Sequence, residues 1–210
     1  MTTDRWAPLT GTAFLVVAIL AFAIGGEPPE ADNSAEEIVS HYVDNKDSVI
    51  FGAVLATFAS ALLVYFGATL SAVLRAADRG PGILSAVVLA GAAIMAVGIA
   101  IDSTILFALA EGAEEIEPAS VETLQALWDN DFLPIALGTL LFLSASGLGI
   151  LRTGVLPKWL GWIAVALAVI GLTPLGFVAF IGGAIWILIT SIMLTMRARS
   201  APAATPPAAA

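Results

Sequence analysis

The sequence predicts an all-α membrane protein: a polytopic bundle of six transmembrane helices with a small cap of short amphipathic helices on its outer face. Hydrophobic residues occupy 59% of the 210 positions and charged residues only 12%, whereas soluble domains average about 25% charged residues. Several apolar runs also approach or exceed the roughly 20 residues that a helix needs to cross a bilayer. What remains between these runs is too short to form a separate soluble domain.

The six spans follow from the apolar runs and from the residues that interrupt them. They cover about residues 6–25, 48–74, 83–110, 132–151, 157–172 and 177–196, within one membrane domain of residues 1–197. The last two spans are separated near Pro174, because proline and glycine interrupt helical hydrogen bonding. Outer loops cover residues 27–47 and 111–131. The small, proline-rich tail, residues 198–210, is predicted to be disordered and cytoplasmic.

The distribution of charge predicts the orientation of the chain. With the N-terminus in the cytoplasm, seven of the eight lysine and arginine residues lie inside and only Lys46 lies outside, as the positive-inside rule expects. Fourteen of the seventeen acidic residues then fall in the two long outer loops. Both termini are therefore expected in the cytoplasm. Ala21–Ala23 also resembles a signal-peptidase site, and cleavage there would leave the orientation of the other five spans unchanged.

Each outer loop carries a segment with the pattern of an amphipathic helix. Ser34 and Glu37 have the spacing of a capping box, and Pro118 suits a first helical turn. The segments Glu37–Asn45 and Glu122–Asn130 align at a shift of 85 residues, which suggests a parallel repeat of the first two helix pairs. The alternative is that any outer helix leading into a span has this pattern.

The third apolar run is longer than a crossing requires and contains one acid, Asp102. Asp102 lies 19 residues after Ile83, or about 29 Å along a helix, which is close to the roughly 30 Å thickness of the hydrocarbon core. The apolar residues beyond it would project above the membrane, so we expect the amphipathic helices to cover them. Asp102, Ser103 and Thr104 either line a polar cavity or meet water at the membrane boundary.

Few residues suit catalysis or metal binding. The chain has no cysteine and one histidine, His41, so disulfides and thiol chemistry are excluded. Glu36, Glu37 and His41 are weak candidates for a metal site, and the alternative is a solvated acidic helix face. No phosphate-binding loop, nucleophile elbow or HExxH motif occurs. We therefore predict no catalytic residues, no cofactor and no nucleic-acid partner.

Three short motifs are similar to those of a known group of proteins. These are "WAPLTGTAFLV" from Trp6, "NDFLPIALG" from Asn130 and "LPKWLGW" from Leu156. Together they make the chain resemble a family of uncharacterised bacterial multi-pass membrane proteins, known only as a domain of unknown function. The resemblance implies a helical membrane fold and the bacterial cytoplasmic (inner) membrane. It implies no activity and no functional residues.

The sequence favours a non-enzymatic structural or accessory protein that acts through contacts of its bundle or outer cap. Its expected partners are the lipid bilayer and either a second copy of the chain or another membrane protein. The alternative is an uncoupled pore or transporter for a small solute or lipid, because the six spans contain no lysine, arginine or histidine except Lys158 at the inner end of the fifth, and coupled carriers need buried ionisable groups. A membrane enzyme would need clustered acid and base groups.

Overall fold

The computed structural model describes residues 6–30, 33–173 and 175–200, and every regular element in these ranges is helical. The all-α class is therefore confirmed. A 3-10 turn at Ala7–Leu9 precedes eight α-helices. These are α1 (Thr10–Gly25), α2 (Ala35–Asp44), α3 (Lys46–Ala77), α4 (Ile83–Gly112), α5 (Pro118–Asp129), α6 (Leu133–Thr153), α7 (Lys158–Ile170) and α8 (Gly176–Ser200).

In the described part of the chain, five helical segments are long and apolar enough to cross a membrane. They are Ala7–Gly25, Lys46–Ala77, Ile83–Gly112, Pro118–Thr153 and Gly176–Ser200. The predicted fifth span contains α7, an apolar helix of 13 residues. At 1.5 Å per residue α7 measures about 20 Å, which is less than the roughly 30 Å of the hydrocarbon core. Length and composition thus support a membrane protein with five long apolar helices and one short one.

Two helix ends differ from the predicted boundaries. α3 begins at Lys46, and Asn45 alone separates it from α2, so this helix extends into the predicted outer loop. α8 continues to Ser200, three residues into the predicted disordered tail. Residues 201–210 of that tail, and the predicted helix break at Pro174, lie outside the described residues.

The six apolar helices form a closed ring. In the order α1, α3, α4, α6, α7 and α8, each helix packs against the next, and α8 returns to α1. The Ser191 hydroxyl group joins the first and last helices. It donates a hydrogen bond to the Pro8 carbonyl oxygen at 2.6 Å and accepts one from the Thr12 N–H at 3.0 Å.

Aromatic side chains fill the middle of the ring. Phe142 of α6 lies between Phe66 of α3 and Trp186 of α8, with ring centroids 6.3 and 6.0 Å apart. All three side chains are buried. The Trp186 indole N–H donates a hydrogen bond to the Leu160 carbonyl oxygen at 2.8 Å, so the polar atom of this residue is satisfied within the bundle. The centre of the ring is therefore packed with side chains.

Glycine allows the central helices to approach closely. A Cβ atom on Gly91 of α4 would lie 2.5 Å from the Phe142 backbone nitrogen, and one on Gly138 of α6 would clash with the backbone of Met95. Close backbone contact is the usual role of small residues between membrane helices. This close contact fixes the positions of α4 and α6 relative to each other.

Candidate functional site

One end of the bundle gathers the basic side chains, and we call it the basic end. Arg152, at the end of α6, pairs with Asp78 after α3 at 3.3 Å. Arg197 of α8 donates a hydrogen bond to the Val155 carbonyl oxygen in the turn before α7. Arg199 lies over the Trp6 ring at 5.4 Å. These contacts place Trp6, Arg199, the turn between α3 and α4 and the turn between α6 and α7 at the same end of the molecule.

The opposite end carries a second hydrophobic core, formed by α2, α5 and the last turns of α4, with Val49 from the first turn of α3. We call these three segments the cap. Ile38 and Tyr42 of α2, Val121 of α5 and Leu109 of α4 are each fully buried there. α4 is longer than a bilayer crossing because its final turns contribute to this core. The exposed ion pair between Lys46 and Glu111, at 3.7 Å, also lies at this end.

A chain of hydrogen bonds runs through the cap. The Tyr42 hydroxyl group donates to Gln125 Oε1 at 2.6 Å, and Gln125 Nε2 donates to the Pro29 carbonyl oxygen at 2.7 Å. Both side chains are fully buried. Since a buried polar group without a partner is costly, these bonds hold α2, α5 and the segment after α1 in one arrangement.

The ionisation of Tyr42 supports this direction of hydrogen bonding. Burial raises the pKa of the Tyr42 hydroxyl group above its usual range, and the nearby carboxylates of Asp129 and Asp102 raise it further. The hydroxyl group therefore stays protonated at neutral pH and can donate to Gln125. The Pro29 carbonyl oxygen can only accept, so the Gln125 amide group faces Pro29 and the Gln125 carbonyl oxygen faces Tyr42.

The structure places the three candidate cavity residues at the level where α4 enters the cap. Asp102 is partly buried, and its polar neighbours are Trp128 and Asp131. Ser103 is buried and donates a hydrogen bond to the Ile99 carbonyl oxygen at 2.8 Å. Thr104 is exposed and donates one to the Ala100 carbonyl oxygen at 2.7 Å. Both hydroxyl groups are thus used within their own helix.

The weak metal candidates lie on α2. Glu37 forms the predicted capping box, which is confirmed: its carboxylate accepts a hydrogen bond from the Ser34 N–H at 3.0 Å. This bond lowers the pKa of Glu37. Partial burial lowers the pKa of His41, an effect that nearby Asp44 opposes. Glu36 is exposed. Among the described residues, no group of three histidine, cysteine, aspartate or glutamate side chains is placed to hold a metal ion.

The sequence interpretation missed Gln125, the residue that links the two short helices. Its position gave a signal, because it follows Val121 by one helical turn on the apolar side of α5. A lone amide on the buried face of an amphipathic helix usually has a specific hydrogen-bond partner. Its partner Tyr42 lies 83 residues away, so only the folded structure identifies the pair.

Comparisons with family models, with curated proteins and with solved structures found no match to this chain.

Proposed function

We propose that the chain is a non-enzymatic structural or accessory protein of a bacterial cytoplasmic membrane, which presents its cap outside the cell as a contact surface. Six crossings are proposed, with α7 as the short one, and with both termini in the cytoplasm. The separation of charge carries this proposal. Six basic side chains lie at or next to the basic end: Arg75, Arg79, Arg152, Lys158, Arg197 and Arg199. The positive-inside rule assigns that end to the cytoplasm.

The construction of the cap supports a role in binding a partner. Its own hydrophobic core and the Tyr42–Gln125–Pro29 hydrogen bonds fix the two short helices, so their outward faces form a surface of constant shape. Exposed carboxylates cover those faces, including Glu36 and Asp44 of α2 and Glu122 of α5. Such a surface complements a basic patch on another membrane protein. A second copy has only Lys46 as a basic residue on its outer side, so it would associate through the bundle. The parallel repeat of the first two helix pairs remains part of this proposal.

The orientation can be tested with single cysteines, because the natural sequence contains none. Ser40→Cys on α2 and Ser120→Cys on α5 are exposed cap positions, and Ala77→Cys is an exposed position at the basic end. A membrane-impermeant maleimide added to intact cells should label the two cap cysteines. It should label Ala77→Cys only after the membrane is permeabilised. Labelling of Ala77→Cys in intact cells, with the cap cysteines protected, would overturn the proposed orientation.

The accessory role can be tested by purification in a mild detergent followed by mass spectrometry. The test variant replaces Glu36 and Glu122, on the outward faces of α2 and α5, with glutamine. The matched control replaces Glu114 and Glu115, exposed residues of the turn between α4 and α5, in the same way. We expect a partner that is retained by the wild type and the control and lost from the test variant. Equal retention by all three proteins would contradict a contact through the cap helices.

A further inference from the structure

An apolar groove opens on the side of the bundle, at the end that carries the cap. α6 and α8 form its walls and the end of α7 forms its floor, and its free volume is about 600 Å³. Phe132 and Ala136 line the α6 wall, and Phe177 and Phe180 line the α8 wall. A volume of this size lies within the range of typical small-molecule pockets, about 300–1,000 Å³.

The groove exists because α7 is shorter than its neighbours. α6 and α7 are antiparallel and pack through Gly147 and Gly161: a Cβ atom on Gly147 would lie 2.7 Å from the Gly161 carbonyl oxygen. The same Cβ atom would lie 3.0 Å from the Val165 backbone nitrogen, so Gly147 faces the middle of the turn from Gly161 to Val165. Extending this register by seven residues places the end of α7, Ile170, near the level of Leu140. α6 continues for seven more residues to Leu133, or about 10 Å. Beside these first turns of α6, no residue of α7 covers the bundle.

The turn between α7 and α8 suits a hydrocarbon environment. Leu172, Leu175 and Phe177 are 69%, 62% and 75% exposed, so the turn presents apolar surface. The Thr173 hydroxyl group donates to the Ile170 carbonyl oxygen at 2.7 Å and accepts from the Leu175 N–H at 3.2 Å. A backbone turn that is placed in hydrocarbon must satisfy its polar groups internally, and Thr173 does this here.

The lining of the groove favours an apolar occupant. It contains two side-chain hydroxyl groups, those of Thr139 and Thr173. Thr139 Oγ1 donates to the Met95 sulfur atom at 3.0 Å, and Thr173 is engaged in the turn. With both groups used within the protein, the remaining lining consists of aromatic and aliphatic side chains and glycine backbone.

We propose that this groove holds one hydrocarbon chain of a membrane lipid, from the leaflet nearer the cap. Its walls belong to helices long and apolar enough to cross the membrane, so lipid chains are the molecules that surround its opening. Because lipid is as apolar as the lining, retention depends on close packing against the aromatic walls rather than on the hydrophobic effect. The proposal rests on the membrane-spanning part of the proposed function and is independent of the accessory role.

Photochemical labelling of the full chain tests this directly. The wild type is reconstituted into vesicles of phosphatidylethanolamine and phosphatidylglycerol that contain a trace of phosphatidylcholine with a diazirine in one acyl chain. After irradiation, mass spectrometry locates the lipid adducts. We expect adducts at groove residues in clear excess over the lipid-facing side of α1, where Ile19 and Phe22 are 66% and 68% exposed. This comparison within one protein requires no variant.

A pair of variants distinguishes lipid labelling in the groove from labelling of the neighbouring surface. Ala136 is exposed and lines the groove, so Ala136→Trp should fill it. Leu137, its neighbour on α6, is 49% exposed and is not part of the lining, so Leu137→Trp is the matched control. We expect groove labelling in Ala136→Trp to fall to the level of α1, and labelling in Leu137→Trp to stay at the wild-type level.

Two results would overturn the proposal. The first is equal labelling of the groove and α1 in the wild type. The second is the absence of lipid adducts in the groove because a second copy or another helix occupies it. The mass of the purified complex would reveal such an occupant. Either result would leave the proposed orientation standing, since cysteine labelling tests that separately.

Discussion

Gln125 is a single amide that bonds to α2 and to the segment after α1, so its replacement should have consequences beyond its own helix. Gln125→Leu removes the acceptor for the Tyr42 hydroxyl group and the donor for the Pro29 carbonyl oxygen. A buried polar group left without a partner costs about 1–3 kcal/mol. We expect hydrogen exchange of the α2 and α5 amides to become faster, and that of the ring helices to remain unchanged.

The double variant Tyr42→Phe/Gln125→Leu is the control for this prediction. Replacing both partners removes the unsatisfied hydroxyl group, and the effect of such a double replacement can be close to neutral. Exchange in α2 and α5 should therefore return part of the way to the wild-type rate. If the loss of protection in the double variant equalled the sum of the losses in Tyr42→Phe and Gln125→Leu, the hydrogen bond would not couple the two helices.

His41 should make the cap less stable in acid. Its pKa is lowered from an ordinary value of 6.5, mainly by burial, so the unfolded cap binds a proton more readily than the folded one. The stability of the cap should therefore be fully present above pH 6.5 and should fall as the pH drops below it. Glu37, whose pKa is lowered by the capping box, should add a further loss at more acidic pH.

Hydrogen exchange of α2 between pH 7 and pH 5, corrected for the intrinsic exchange rate, measures this effect. Protection should decrease across that interval in the wild type. In His41→Gln, which carries no titrating ring, protection should be nearly constant over the same range. A His41→Gln protein with the full wild-type pH dependence would assign the effect to another group.

At the scale of the elements, the contact between α4 and α6 should tolerate no added carbon atom at Gly138. A Cβ atom there would clash with the backbone of Met95, and backbone yields less readily than a flexible side chain. Overpacking of this kind costs about 1–3 kcal/mol, which offsets the roughly 1 kcal/mol that alanine gains over glycine in a helix. Gly138→Ala should therefore unfold at a lower denaturant concentration than the wild type in a detergent titration.

Gly183→Ala is the matched substitution on α8. Its Cβ atom would lie 3.5 Å from Leu143 Cδ1, an ordinary van der Waals contact, so the gain in helix propensity should dominate. This variant should be as stable as the wild type or slightly more stable. Equal destabilisation by both substitutions would show that loss of glycine, rather than the close approach of α4 and α6, is responsible.

Local patterns in the sequence predict individual elements better than their arrangement. The capping box at Ser34 and Glu37 and the continuous helix from Ile83 were predictable, because both depend on residues close in sequence. The covering of the last turns of α4 by the two short helices was predictable from the apolar residues of those turns alone. The end of α7 at Ile170 also lies within two residues of the predicted end of the fifth span. The groove beside it was not predictable, because it depends on how far α7 reaches beside α6.

At the scale of the whole molecule, α4 connects two hydrophobic cores. Val88, Ala92 and Met95 belong to the core of the ring, and Ile105 and Leu109 belong to the core of the cap. α3 also contributes to both cores, with Val49 in that of the cap, so the position of the cap depends on both helices and, in α4, on the passage past Asp102. The partner-binding role proposed for the cap depends on the same feature, since a hinge there would leave the cap without a fixed position.

A proline at Thr104 should weaken the attachment of the cap to the ring. Within a helix, proline removes one backbone hydrogen bond and clashes with the preceding turn, at a cost of about 3 kcal/mol or more. In Thr104→Pro we expect the amides of α2 and α5 to lose their protection against hydrogen exchange, while α6 and α7 keep theirs. Thr104→Ala is the control, because Thr104 is exposed and its hydroxyl group bonds only to Ala100 of its own helix. A cap that keeps its protection in Thr104→Pro would mean that α2 and α5 hold together without α4, and the length of α4 would then need another explanation.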